Sequence, residues 1–335
     1  MSGREIGLRT RRGILALALT SMVLMGGTPA FAQEADLSAL SGEIVSDGSS
    51  TVGPMTQAVA EEFAALAPQV QTSVDISGTG GGFARFCQGE TDIQNASRPI
   101  ADDEIATCAE NGVDWYEFGV AIDGLTVVTN PENTWLTCIT TEQLKTLWQS
   151  ENNAKTWADL NAEYPADTIN LYGPGTDSGT FDFFVETILG EDEIREDFTP
   201  SEDDNVLVEG VAGDANALGY FGAAYYQENQ DVLNAVAIDS GDGTCVEPTP
   251  ETIMDGSYTP LSRPLFVYVR ADSLERPEVQ EFVRFYLTQA GTLASEVGYV
   301  ASPEDVYAED LESLENAVAG SGAPDSAAVA GTPEA

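Results

Sequence analysis

Between its ends the chain alternates short apolar, β-branched runs with amphipathic helical stretches, and three of the strand-to-helix junctions are turns built from Gly, Ser and Thr. Such alternation points to an α/β fold of mostly parallel sheets flanked by helices. Ile44-Val45 and Val70 to Ile76 read as strands. The stretch from Pro54 to Leu66 between them places Met55, Val59, Phe63 and Leu66 on one helical face, with Pro54 in the first turn. Further strands are expected at Tyr116 to Val120, Thr126 to Thr129, Ile169 to Tyr172, Val236 to Ile238 and Leu265 to Val269. Helices are expected around Thr141 to Gln149, Gly179 to Leu189 and Pro277 to Thr288. Val120 to Thr129 and Pro264 to Val269 read as long strands with no helix between their halves, which suits segments crossing from one lobe to another. With 335 residues, 42% of them hydrophobic, the chain has enough apolar material for two lobes.

Charge and composition then narrow the chemistry. Asp and Glu number 56 against 13 Lys and Arg, a formal charge of −43, which opposes nucleic acid and anionic lipid as partners. The absence of histidine removes Ser-His-Asp and Cys-His catalysis and every zinc site that needs an imidazole. A serine nucleophile at Ser50 or Ser178 would have only Lys or a carboxylate as its base. An enzyme is therefore not expected.

Residues 1–32 read as a secretory signal peptide: Arg4, Arg9, Arg11 and Arg12, an apolar run from Ile14 to Met25, then Ala30-Phe31-Ala32 as the cleavage motif. The run is short for a membrane span, which needs about 20 residues, and Arg11-Arg12 leaves twin-arginine export open beside the general route. Cleavage after Ala32 would leave 9 basic and 55 acidic residues, a net charge of −46. Export favours disulfides for the four cysteines. They allow three pairings, of which Cys87 with Cys108 and Cys138 with Cys245 keeps each bond within one lobe. Residues 317–335, small and rich in Ala, Gly and Pro, read as a disordered tail.

Three turns have the chemistry of an anion site. Asp47 to Pro54 (D-G-S-S-T-V-G-P) runs into a helix, where Ser50, Thr51 and the amide of Val52 face the positive end of the dipole. Ser77 to Phe83 (S-G-T-G-G-G-F) lets backbone amides approach a ligand closely and enters the helix carrying Arg85 and Cys87. Gly173 to Phe181 (G-P-G-T-D-S-G-T-F) repeats the first pattern with Ser178, Gly179 and Thr180. Each turn taken singly also suits a plain helix cap or tight turn. Neither dinucleotide nor P-loop spacing is present. Between them, Asp92 to Ile100 (D-I-Q-N-A-S-R-P-I) places Arg98 at the carboxyl end of a strand, where open α/β sheets hold ligands.

These four segments, in order and spacing from about Gly42 to Val300, resemble the phosphate-binding proteins of high-affinity phosphate ABC importers. The resemblance is closest to the branch with G-S-S-T-V, S-G-T-G-G-G-F followed by Cys, N-A-S-R-P-I and G-T-D-S-G-T-F. It implies a two-lobed periplasmic binding protein, with residues 42–123 and 265–316 in the first lobe and 124–264 in the second. Such a protein closes on one inorganic phosphate and delivers it to an ABC permease in the membrane, as a monomer without cofactor or metal, in the periplasm or outside the cell. Residue by residue, the resemblance carries phosphate contacts onto Ser50, Thr51, Val52, Thr79, Gly80, Gly81, Ser178, Gly179 and Thr180. The best-known members have Asp where Arg98 stands and Arg where Pro174 stands, so Arg98 is expected to be a relocated cation and the sole one touching the ligand. The acceptor of the phosphate hydrogen then falls to Asp177 or Asp47. Competing readings are a receptor for another oxyanion such as sulfate, an exported serine hydrolase, and a surface protein whose loops are inert.

Overall fold

The computed structural model describes residues 37–151, 153–176 and 178–329. Its opening elements follow the alternation of the sequence: β1 (Ser41–Gly48), α1 (Gly53–Leu66), β2 (Gln69–Val74), α2 (Thr79–Phe86), β3 (Ile93–Ala96) and α3 (Asp102–Glu110). Then comes β4 (Trp115–Thr129), a 15-residue strand that unites two expected strands. The middle of the chain gives β5 (Cys138–Thr140), α4 (Thr141–Trp148), α5 (Trp157–Leu160), β6 (Asn170–Gly173), α6 (Gly179–Phe184), β7 (Thr199–Pro200), α7 (Asp204–Ala212), β8 (Ala217–Gly222) and α8 (Ala223–Glu228). It continues with β9 (Asn234–Ala235), β10 (Ala237–Asp239), β11 (Cys245–Val246) and α9 (Pro250–Met254). The chain returns through β12 (Ser262–Arg270) to α10 (Pro277–Glu296), α11 (Glu304–Val318) and α12 (Asp325–Val329).

The strands form a sheet of order β2-β1-β3-β12-β4-β8-β6-β7, with β9 also on β4, and a small sheet β11-β10-β5. Parallel pairing holds β1 to β2 and β3, and β6 to β7 and β8, as helical crossovers require. In the larger sheet the two long strands make the exception. β12 runs antiparallel to the first ten residues of β4, and β8 runs antiparallel to the last five. Both strands therefore pass between two halves of the molecule.

Each half has its own apolar core. In the first, α1 turns Met55, Val59 and Phe63 inward, and Phe63 meets Phe282 of α10 edge-on at 5.3 Å. Burying a ring of that size contributes about 2–3 kcal/mol. Leu66, expected on the same face, is 47% exposed because the helix stops there. In the second half Trp148, Phe184 and Tyr220 pack together in the core that also holds Leu125, Leu218 and Leu261. Disulfides join Cys87 to Cys108 and Cys138 to Cys245, so each half is stapled within itself, as expected.

At the C-terminal end the structure departs from the composition. α11 buries Leu314, and Gly322, Asp325 and Ser326 bond to residues of or beside β4. The segment around α12 reaches order through polar contacts to backbone, a source of docking that an apolar count overlooks. Among the described residues no helix is long and apolar enough to cross a membrane; the signal segment lies outside the described residues.

Candidate functional site

The turn after β1 and the turn before α2, which follows β2, meet side by side because β1 and β2 are adjacent and parallel. Ser49, rather than Ser50 or Thr51, caps α1: its Oγ accepts the amides of Thr51 at 3.1 Å and Val52 at 3.4 Å. That leaves the hydroxyls of Ser50 and Thr51 free to point elsewhere. In the second turn Gly78 adopts φ +78°, a region that favours glycine, and so aims the start of α2 at the first turn. Thr79 Oγ1 lies 3.1 Å from Ser97 Oγ and accepts the Ser97 amide at 3.3 Å, which fastens the glycine turn to the end of β3.

Asp47, an expected hydrogen acceptor for the ligand, holds this arrangement from below. Its buried carboxylate accepts from the amides of Gly48 and Ser77, from Ser77 Oγ and from Arg85 Nη1. With both oxygens engaged, it is not on the wall of the cavity above. Asp177, the other expected acceptor, lies outside the described residues.

That cavity has a volume of 240 Å³ and is lined by Ser49, Ser50, Thr51, Gly78, Thr79, Gly80, Ser97, Arg98, Asp182, Glu186 and Arg263. Ser50, Thr51, Thr79, Gly80 and Arg98, expected from the sequence as phosphate contacts, are among these lining residues. Val52 and Gly81 lie behind the wall, Val52 buried beneath its cap and Gly81 against Ser77. Ser178, Gly179 and Thr180 also stay off the lining. Ser178 Oγ turns back to accept the Thr180 amide at 3.2 Å, and Gly179 is pressed onto the first turn. A Cβ on Gly179 would fall 2.9 Å from Thr51 Cα, so only glycine lets the two halves come this close. The helix presents Asp182 to the cavity and then, through a π turn at Val185–Leu189, Glu186.

Two cations face this space, not the single one expected. Arg98 holds Glu104 through both terminal nitrogens at 2.8 Å and lies 5.8 Å over the Phe83 ring. Arg263 was not singled out from the sequence. Its Nη2 donates to Thr51 Oγ1 at 2.8 Å, its Nε lies 3.2 Å from Asp123 Oδ2, and its guanidinium stacks 3.8 Å over Phe183. Thr51 belongs to one half and Phe183 to the other, so Arg263 touches both. The available signal was its rarity, nine Lys and Arg after residue 32, and its place beside a crossing strand.

Asp123 is fully buried; burial pushes its carboxyl upward in pKa, and Arg263 partly offsets this. A register shift at Leu265/Phe266 marks a bulge two residues beyond Arg263 along β12. Bulges of this kind re-aim side chains near functional sites. Tyr299 adds a further tie, its phenol donating to the carbonyl of Thr51 at 2.6 Å. Across the halves, Ser50 Oγ donates to Asp182 Oδ2 at 2.9 Å. The wall thus offers hydroxyl and amide donors, two guanidinium groups and two carboxylates around a small polar space. A larger hollow of 630 Å³ in the second half has one charged group on its lining, Glu247, and none of the turns.

Comparison with known proteins places the chain in a family. Residues 33–290 match the PBP superfamily domain. The chain is 44% identical over 303 residues to the protein SphX of Synechocystis sp., covering 89% of this chain and 88% of that one. It is 39% identical over 278 residues to the phosphate-binding protein PstS of Staphylococcus saprophyticus, covering 83% and 86%. Among solved structures, a possible phosphate binding protein from Planctomyces limnophilus is 48% identical with a TM-score of 0.81, covering 84% of this chain and all of that one. A match over most of the domain, two relatives near 40% identity and a shared two-lobed fold lead to one conclusion: the chain belongs to the PBP superfamily, among the relatives of SphX and PstS.

Proposed function

We propose that the protein captures inorganic phosphate in the cavity between its lobes and hands it to the membrane component of an ABC importer. The observation that carries this reading is the meeting, around 240 Å³, of two turns at helix starts with Arg98 and Arg263. Helix N-termini and guanidinium groups are the usual donors to a tetrahedral oxyanion. Ser50, Thr51, Thr79 and Gly80 supply hydroxyl and amide donors from one lobe. Asp182 and Glu186 supply acceptors from the other, and Asp182 takes the hydrogen that phosphate still carries at neutral pH. The names of the relatives, phosphate-binding protein among them, support the same ligand.

The protein acts as an exported, monomeric receptor rather than as an enzyme. Ser50 does meet a carboxylate, Asp182, but a carboxylate alone is a weak base for activating a hydroxyl near neutral pH. Calorimetry of ligand-free protein against phosphate and sulfate tests the proposal. Stoichiometric phosphate binding with little heat from sulfate is expected. Equal affinity for the two anions, or no phosphate binding, would overturn it.

A further inference from the structure

Strand β4 is an inner strand only in part. Its first half pairs with β12 on one side, while β8 joins the other side only from Leu125 onward. One row of backbone N–H groups between Trp115 and Ile122 therefore faces away from any full strand. An open edge of this kind is a template for unwanted pairing unless something covers it.

The C-terminal segment covers it group by group. The Glu117 amide donates to Asp325 Oδ2 at 2.8 Å, the Gly119 amide to Asp310 Oδ2 at 2.9 Å, and the Trp115 amide to Ser326 Oγ at 3.5 Å. Ile122 exchanges backbone bonds with Val300 at 2.8 and 2.9 Å, and the Tyr307 phenol donates to the Val120 carbonyl at 2.9 Å. Side chains of α11 and α12 thus stand where a neighbouring strand would stand.

The acceptors are carboxylates in acidic surroundings. Asp310 faces Glu117 of β4 and Asp325 of α12, with Glu309 and Tyr307 on its own helix. Glu117 accepts from the Tyr268 phenol at 2.6 Å, and Asp114 accepts from Ser326. Among the described residues, none of Asp114, Glu117, Asp310 and Asp325 is in an ion pair; the pair that α11 does make, Arg284 with Glu315, ties it to α10. Burial, with the like charges of Glu117, Asp325 and Glu309, pushes the Asp310 carboxyl up to about 6 against the pull of the Gly119 amide. Glu117 is also raised, by burial first and then by Asp325.

We propose that α11 and α12 form a pH-responsive clasp over the edge strand of the first lobe, sealed while Asp310 and Glu117 hold protons and loosened when both are ionised. A protonated carboxyl still accepts an amide N–H through its carbonyl oxygen, so protonation removes repulsion without removing the bond. The clasped state holds more protons than the released one. The seal is therefore strongest below the ordinary carboxyl range and weakens as pH rises through about 6. Leu314, fully buried against the first core, keeps α11 seated, so loosening is local to the edge.

Hydrogen exchange on the full chain at about pH 5.5 and about pH 8, corrected for the intrinsic exchange rate, tests the clasp. Protection of the Glu117 and Gly119 amides should fall by about fourfold or more at the higher pH, fourfold being the share of Asp310 alone with its carboxyl near 6. The Ile122 amide, held by a backbone carbonyl, should change little. Asp310→Asn keeps an acceptor oxygen and should flatten the dependence at Gly119, and Asp325→Asn, which removes a like charge beside Asp310 and Glu117, should reduce it. Equal protection at the two pH values in the parent, or a dependence that survives in both variants, would overturn the proposal.

Discussion

Arg263 on β12 stands directly opposite Asp123 on β4, Nε to Oδ2 at 3.2 Å, on the two strands that join the lobes. A buried pair of this kind contributes little net stability, because both charges have left water, yet breaking it leaves one buried charge uncompensated. Its value lies in position. Held by Asp123, the guanidinium reaches Thr51 of one lobe and Phe183 of the other, so any opening of the lobes must disturb it.

Arg263→Ala should therefore weaken phosphate binding and also destabilise the fold, by about 3 kcal/mol or more, since Asp123 would be left buried and unpaired. The double variant Arg263→Met with Asp123→Leu separates the two effects. Denaturant melts should show most of the stability restored, while calorimetry shows binding still lost. Arg98→Ala, whose side chain is 40% exposed and already paired with Glu104, should leave stability within about 0.5 kcal/mol of the parent. Parent-like phosphate affinity in both arginine variants would remove the cations from the mechanism.

Gly179→Ala tests how closely the lobes must meet. The added methyl would lie 2.9 Å from Thr51 Cα, well inside contact, and the obstacle is backbone that cannot swing aside. Each lobe should melt as before, because Gly179 does not sit in either core. Phosphate affinity should fall by at least about tenfold, and small-angle scattering with saturating phosphate should give a larger radius than the parent. Identical radii and affinities would show that the observed approach is not needed for binding.

Much of this was legible in the sequence, and the rest was hidden for identifiable reasons. Periodicity exposed α1, α10 and the crossing strands because those elements bury one face or both. The pairing of Cys87 with Cys108 and Cys138 with Cys245 followed from assigning each to a lobe. Ser50, Thr51, Thr79, Gly80 and Arg98 could be found because turn chemistry is local. Arg263 and Asp123 could not, since neither lies in a motif and their meeting depends on the register of two strands distant in sequence. Ser49 was masked by its neighbours: in a run of hydroxyl residues, composition does not say which one turns back to cap. Asp182 and Glu186 read as ordinary polar positions on a Phe-rich helix until the approach of that helix to Ser50 is known.

Charge balance leads to a prediction about salt. Every Lys and Arg among the described residues already has a carboxylate partner, from Arg85 with Asp47 to Arg284 with Glu315. The acid in excess repels itself, and the compact state suffers more than the unfolded chain. Raising NaCl from about 0.01 M to about 1 M shortens the screening length from about 30 to about 3 Å, so the melting temperature should rise. A melting temperature that falls with salt would mean that the existing ion pairs outweigh the repulsion.

The last prediction concerns selectivity. Discrimination between two oxyanions of similar shape is a difference of affinities, and it is sharpest where the wrong one meets an unpaired group. Phosphate at neutral pH carries hydrogen and can donate a bond, whereas sulfate carries none. Asp182 faces the cavity, and its Oδ2 already receives the Ser50 hydroxyl at 2.9 Å, which leaves its other oxygen available for the ligand. Sulfate would bring lone pairs to that oxygen, phosphate a proton. Asp182→Asn keeps the shape and removes the charge while offering an amide donor. It should therefore weaken phosphate by about tenfold or more and improve sulfate, narrowing their ratio rather than lowering both. Glu186→Gln, further along the helix and 72% exposed in its side chain, should move the ratio less. Competition calorimetry on the two variants reads the ratio directly, and a ratio unchanged in Asp182→Asn would assign the acceptor to another group.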